Sequence, residues 1–134
     1  MNQLFSLPAR VYYEDTDAGG VIYYASYLKF FERCRTEWLR AIGGDQAKLL
    51  AEDRLCFVVR NVNIDYLRPG RLDDLLDVTL SVEKKGGTHI VFRQEAKRGE
   101  ETLVTAQVRI VCVDIDKMKP APLPALFDRF AEAT

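Results

Sequence analysis

A chain of 134 residues that is 48% hydrophobic and 29% charged has the make-up of one globular domain, residues 1–134, and not of a disordered chain. Its 19 Lys and Arg against 20 Asp and Glu leave a net charge of -1, which gives nucleic acid little to bind, and no apolar run approaches the ~20 residues of a membrane-spanning helix. Three scattered cysteines (Cys34, Cys56, Cys112) and a single histidine (His89) argue against a disulfide framework, a metal site and a histidine-based triad; with no signal-peptide pattern in MNQLFSLPAR, a reducing cytoplasm is expected.

Residues 9–14 read as the first extended segment, with Val11 and Tyr13 alternating against Arg10 and Tyr12. They run into Asp15-Thr16-Asp17-Ala18-Gly19-Gly20, a succession of turn and cap residues. The one long helical pattern covers residues 24–42. At about 100° per residue, Tyr27, Phe30, Phe31, Cys34, Trp38, Ala41 and Ile42 fall on one side, and Leu28 and Leu39 widen the apolar arc to about half the circumference. Lys29, Glu32, Arg33, Thr36 and Arg40 take the other side. So wide an arc predicts a helix largely enclosed by other elements. Arg35 falls inside the arc; it is expected to snorkel or pair beside Glu32, or to serve an interface or site. Gly43-Gly44 offers a C-cap.

The hydrophobic period then changes to two. Residues 57–67 place Val58, Val62, Ile64 and Tyr66 on one face, with Arg60 intruding, before the Arg68-Pro69-Gly70 break. Leu76, Val78, Leu80 and Val82 alternate with Asp77, Thr79, Ser81 and Glu83, and Lys84-Lys85-Gly86-Gly87 reads as a hairpin connection. Ile90, Phe92 and Ala96 continue the pattern, as do Val104, Ala106, Val108, Ile110 and Cys112 after the Arg98-Gly99-Glu100 turn. Pro120, Pro122 and Pro124 precede a short possible helix over residues 125–131. No second long helix is present for parallel crossovers, so the sheet is expected to be antiparallel. Its apolar face needs the one long helix, which gives an α+β domain with a curved sheet wrapped around that helix. Sheet edges left open predict oligomerisation.

The segment from Tyr13 to Tyr24 carries most of the chemical interest. Glu14, Asp15 and Asp17 precede Gly19-Gly20 immediately before the helix. Acids there can simply cap the helix and favour the positive end of its dipole. A cap needs one side chain, however, and Gly19-Gly20 opens space for backbone N–H groups at the helix start to meet a ligand oxygen. A carboxylate can attack an activated carbonyl or deprotonate the water that does, and the helix N–H groups can stabilise the resulting oxyanion. A thioester suits such machinery, because its carbonyl is electrophilic and thiolate leaves readily.

The run Tyr12-Tyr13-Glu14-Asp15-Thr16-Asp17-Ala18-Gly19-Gly20-Val21-Ile22-Tyr23, followed by Ala25-Ser26-Tyr27-Leu28 and Phe31-Glu32-Arg33-Cys34-Arg35-Thr36-Glu37, resembles the signature of hotdog-fold acyl-CoA thioesterases. More narrowly, it is similar to the YbgC branch of the 4-hydroxybenzoyl-CoA thioesterase family. The likeness continues through Phe57-Val58-Val59-Arg60, Arg68-Pro69-Gly70-Arg71-Leu72-Asp73-Asp74 and Val111-Cys112-Val113-Asp114 to Lys117-Met118-Lys119-Pro120. It implies a hotdog fold, an antiparallel sheet around one long helix. The family's catalytic carboxylate corresponds to Asp17, and its carbonyl-polarising N–H to Tyr24 or an immediate neighbour. YbgC-like proteins usually carry histidine where this chain has Tyr24, whereas the 4-hydroxybenzoyl-CoA enzymes have tyrosine. A backbone donor survives that change and a histidine side chain does not.

The resemblance thus implies hydrolysis of short-chain or aromatic acyl-CoA without metal or other cofactor, in a homodimer or homotetramer whose sites lie between protomers. Gly20, Val21, Ile22 and Tyr23 are candidates for the substrate pocket; Val21, Ile22, Tyr23 and Tyr24 are expected to line it, to pack against a neighbouring subunit, or both. Arg68, Arg71, Lys84 and Lys85 flank turns and are candidates for the phosphates of coenzyme A. Asp15 is expected to form a turn, Glu14 to be exposed or paired, Glu32 to sit on the polar side of the helix, and His89 to be structural. Two rival readings remain at this stage. One is a scaffold that binds acyl-CoA or acyl-carrier protein with weak hydrolysis, motivated by Tyr24; the other is a dehydratase that would need His89 near an acid.

Overall fold

The computed structural model describes residues 4–130. Strand β1 (Phe5–Arg10) leads through a loop to helix α1 (Ser26–Ala41), then to a short helical stretch in which α2 (Gln46–Lys48) runs into a π-helical turn (Leu49–Asp53). Strands β2 (Leu55–Tyr66), β3 (Leu75–Lys85), β4 (His89–Arg98), β5 (Glu101–Asp114) and β6 (Lys119–Pro120) follow, and a 3-10 turn (Ala125–Arg129) closes the described chain. The strands form one sheet in the order β1-β3-β4-β5-β2, with β6 added beside β5, and every pairing is antiparallel. The sheet curls around α1, as the change of hydrophobic period predicts.

The core is the apolar arc of α1 set against one face of the sheet. Phe31 and Cys34 are wholly buried against Leu76, Val78 and Leu80 of β3, and Cys34 Sγ lies 3.4 Å from the Val78 carbonyl oxygen. The alternating residues of β3, β4 and β5 supply the rest of that face. Each fully buried side chain of this size contributes about 1.5–3 kcal/mol relative to exposure. Gly43, with φ +99°, ends α1: its N–H donates to the Arg40 carbonyl, and that of Gly44 donates to Leu39.

Five expectations from sequence need correction. The first strand lies at residues 5–10 and not at 9–14, while Tyr13–Asp15 forms a 3-10 turn with Tyr13 exposed and Asp15 buried. Pro8 is tolerated in β1 because that strand is an edge paired only with β3. Secondly, Arg35 feels the charge of Glu32 as expected, but its hydrogen bond goes elsewhere. Its Nη1 donates to Oε1 of the wholly buried Gln94 (2.9 Å), whose Nε2 donates to the Phe31 carbonyl (3.1 Å).

The third correction concerns β2, where the register shifts between Val59 and Asn61, so Arg60 is a bulge residue. Phe57 and Val59 therefore pair with Cys112 and Ile110 and share a face with Val62, Ile64 and Tyr66, while Val58 turns to the other face. Fourthly, Lys84 and Lys85 belong to β3 and not to a turn, and Lys85 is only 5% exposed. The C-terminal helical expectation becomes the 3-10 turn Ala125–Arg129; its last residue, 131, lies outside the described residues.

Candidate active site

The loop between β1 and α1 is organised by Asp15. Its side chain is almost fully buried, with Oδ1 2.7 Å from Lys29 Nζ and Oδ2 accepting the Tyr12 N–H at 2.9 Å. Its carbonyl oxygen accepts the Tyr23 N–H (2.8 Å) and the Ser26 hydroxyl (3.1 Å). One residue thus ties the loop entrance, the helix start and the first turn of α1 together, which agrees with a turn-forming role for Asp15.

Asp17 stands on a small hairpin whose legs meet through a Thr16–Ile22 bridge. The Asp17 N–H donates to the Val21 carbonyl (2.9 Å), and the Gly20 N–H donates to the Asp17 carbonyl (3.1 Å). Gly20 has φ +80°, the left-handed conformation that closes such a three-residue tip and that a side chain would strain. The Asp17 carboxylate is exposed, and Oδ1 accepts one bond, from the Gly19 N–H at 2.8 Å. It therefore keeps lone pairs for an incoming reactant.

Segment 68–74 is laid along this hairpin. Val21 bridges to Arg71, and the Ile22 N–H donates to the Gly70 carbonyl at 2.8 Å. Gly70 is required by close approach, since a Cβ there would lie 2.4 Å from Ile22 Cδ1. Asp74 secures the far end of the segment, accepting from the Arg71 N–H (2.9 Å) and from Arg98 Nη1 (2.7 Å). Burial alone would raise its pKa, but the Arg71 bond and the Arg98 guanidinium outweigh burial and hold the carboxyl below its ordinary range.

The start of α1 carries no side-chain cap at Ala25 and no acid in its first turn. None of the three acids before the helix caps it, so the capping explanation for them does not hold. Among the described residues, the N–H groups of Tyr24 and Ala25 donate to no acceptor. The positive end of the helix is accordingly open to an oxygen-bearing ligand. Aromatic rings surround it: Tyr23 and Tyr24 lie 4.8 Å apart by centroid, and Tyr66 from β2 packs edge-on to Tyr24 at 6.2 Å. Sequence reasoning placed Tyr66 on a strand face and gave it no role. Its position one strand-end before the Leu67-Arg68-Pro69-Gly70 break was the available signal.

Asp17, Gly20, Val21, Tyr23, Tyr24 and Arg68 are thus gathered at one end of the molecule. Ile22 is there too, but its side chain is buried against Gly70 and Tyr27 instead of lining an opening. Arg68 is exposed, 3.8 Å from Glu101. Lys84 and Lys85 are not brought to this end. Leu75 at the start of β3 pairs with Arg10 beside the loop, and Lys85 lies ten residues further, about 33 Å along the strand. His89 lies near that opposite end, where Lys84, Arg60 and Arg109 act on it. No group of three His, Cys, Asp or Glu among the described residues could hold a metal ion.

A cavity of about 150 Å³ lies elsewhere, between α1 and the sheet, lined by Arg35, Trp38, Phe57, Val59, Phe92 and Phe127 among others. Trp38 is twelve residues along the helix from Ser26, about 18 Å from its start. The bulge at Arg60 created this lining by turning Val59 and Phe57 inward, which is why the alternation of β2 did not reveal it.

A thioesterase-superfamily model matches residues 19–105. An acyl-CoA thioesterase YbgC of Haemophilus influenzae is 52% identical over 120 residues, covering 90% of this chain and 88% of the relative. An acyl-CoA thioester hydrolase YbgC of Escherichia coli is 52% identical over 122 residues, covering 90% of each chain. Among solved structures, a probable thioesterase from Bartonella henselae superposes with a TM-score of 0.87 at 38% identity, covering 91% of this chain and all of that one. No helix is long and apolar enough to cross a membrane among the described residues.

Proposed function

The chain belongs to the thioesterase superfamily, in its YbgC branch, and from that premise we propose that it hydrolyses acyl-CoA thioesters with Asp17 as the reacting carboxylate. The observation that carries this is the juxtaposition, on one loop, of an exposed Asp17 carboxylate with a single internal hydrogen bond and an uncapped helix start with open N–H groups. As nucleophile, Asp17 adds to the thioester carbonyl, the C–S bond breaks with thiolate departing, and water hydrolyses the resulting anhydride. As general base, it takes the proton of a water that attacks directly. Either route places negative charge on the former carbonyl oxygen, which the N–H groups at Tyr24 and Ala25 stabilise.

The substrate class is short-chain or aromatic acyl groups. The 150 Å³ cavity supports this limit, because a void of that size accepts a benzene-sized group. The cavity and Asp17 lie toward opposite ends of α1, so one copy does not join them. The exposed apolar side chains of β2 (Val58, Val59, Val62, Tyr66) on an edge strand support a homodimer or homotetramer. Antiparallel pairing of two β2 edges would bring the helix start of one copy toward the cavity of the other. Lys84 would then serve coenzyme A from the second copy, whereas the buried Lys85 would not. The enzyme would work in the cytoplasm as one domain spanning residues 1–134.

A thiol-release assay over a panel of acyl-CoA substrates, paired with calorimetric titration, tests the assignment. Turnover of short or aromatic acyl-CoA is expected. Tight acyl-CoA binding without thiol release would replace the enzyme by a binding protein.

A further inference from the structure

We propose that Tyr66 is a positioning residue for hydrolysis, fixing and polarising the Tyr24–Ala25 peptide through a hydrogen bond from its hydroxyl to the Tyr24 carbonyl. The inference rests on the thioesterase reading above and adds to it a residue outside the loop and helix.

The geometry is specific. Tyr66 is the last residue of β2, and its Oη–H donates to the Tyr24 carbonyl oxygen at 3.0 Å across 42 residues of sequence. Tyr24 precedes the N-cap Ala25, so its carbonyl lies outside the helical ladder. The Leu28 N–H closes a tightened first turn onto the Ala25 carbonyl at 3.1 Å. The Tyr24 carbonyl therefore has no helical donor, and a tyrosine from the sheet meets it. The Tyr66 ring is seated for this task, edge-on to Tyr24 at 6.2 Å and to the buried Tyr27 at 5.8 Å. Burial first, and the neighbouring Tyr24 second, raise the Tyr66 pKa above its usual 10, so the hydroxyl keeps its proton and remains a donor over the working range of pH.

The consequence follows from peptide geometry. The Tyr24 C=O and the Ala25 N–H belong to one planar trans unit and point in opposite directions. Holding the oxygen therefore aims the N–H away from β2. An amide whose oxygen accepts a hydrogen bond is also a stronger N–H donor. Ala25 N–H is one of the two open donors at the helix start. Tyr66 thereby strengthens an oxyanion donor without touching the substrate carbonyl itself.

Tyr66→Phe keeps the ring and removes only the hydroxyl. With a short or aromatic acyl-CoA that the unaltered chain turns over, kcat is expected to fall roughly 3–10-fold, the effect of one neutral hydrogen bond, while KM stays within about twofold. The Ala25 amide nitrogen resonance is expected to move upfield in the same variant without substrate, as the peptide loses polarisation. An unchanged kcat and an unmoved Ala25 resonance would overturn the proposal. So would a rise in KM at constant kcat, which would make Tyr66 a substrate contact. Absence of hydrolysis by the unaltered chain would instead refute the thioesterase reading, and this inference with it.

Discussion

Replacing Asp15 by Asn separates the two aspartates of the loop by their physical roles. The Asp15 carboxylate satisfies two donors at once, Lys29 Nζ at 2.7 Å and the Tyr12 N–H at 2.9 Å, and the side chain is about 5% exposed. An Asn side chain has one oxygen and one NH2, so in either orientation it presents its NH2 to one of those donors. The variant loses the charge attraction to Lys29 and one of the two hydrogen bonds. Removing one partner of a fully buried pair costs about 3–5 kcal/mol. The Lys29 side chain is 38% exposed, and water relieves part of that cost, so the expected loss is about 1.5–3 kcal/mol, the range for a hydrogen bond to a charged group. For a chain of this size, at about 4 °C per kcal/mol, the thermal midpoint falls by about 6–12 °C. Thermal unfolding followed by circular dichroism reads this directly. Thiol release measured well below the midpoint should retain most of its rate. A midpoint within about 1 °C of the unaltered chain would refute the structural role assigned to Asp15. Loss of thiol release at an unchanged midpoint would make Asp15 a reacting group.

Gly70→Ala places a methyl 2.4 Å from Ile22 Cδ1 and 3.0 Å from Tyr27 Oη, so it should cost about 1–3 kcal/mol and displace the hairpin leg leading to Tyr24. A lowered melting midpoint with a reduced kcat is expected, and wild-type values for both would show that Ile22 yields without disturbing the site. At the other end of the sheet, burial and then Arg109, Lys84 and Arg60 depress the pKa of His89 below 6.5. The unfolded chain therefore binds the His89 proton first as pH falls, and stability declines as pH drops below about 6.5 toward the lower folded value. His89→Gln should flatten that part of the stability–pH curve in urea titrations; an unchanged slope would contradict the assigned shift.

Much of this molecule was legible in the sequence because its helix and three of its strands carry clear hydrophobic periods, interrupted only by the polar Gln94 in β4 and by register shifts after Val82 and Ala96. The arc of α1 faces the core as its wheel demanded, and β3, β4 and β5 bury the alternating residues that the pattern selected. The failures have physical causes. In β2 the intruding Arg60 was the one trace of an extra residue, but with Val58 and Val59 both apolar the hydropathy did not show which of them shares the face of Val62; the bulge reversed that face and built the cavity. In the first strand, Pro8 and the short alternation concealed pairing that only an edge position permits. Tyr12 and Tyr13 look strand-like by composition but are exposed on a turn held by the Asp15 side chain. Lys85, expected in the hairpin connection as a candidate for coenzyme A, is buried at the end of β3, beyond the register shift after Val82. A turn at Asp17 was legible through Gly19-Gly20, although the small hairpin it closes was not. The contribution of Tyr66 was not, because it depends on a contact between residues 42 positions apart.

The most direct measurement is thiol release from acyl-CoA by Asp17→Asn beside the unaltered chain, with melting midpoint and oligomeric state recorded on both. The Asp17 side chain holds one exposed Gly19 N–H, so the variant should fold and assemble normally. Its rate is expected to fall by about 10²–10⁴, the contribution of a reacting carboxylate. A variant that folds and assembles as the unaltered chain does and still releases thiol at the full rate would contradict the central role of Asp17.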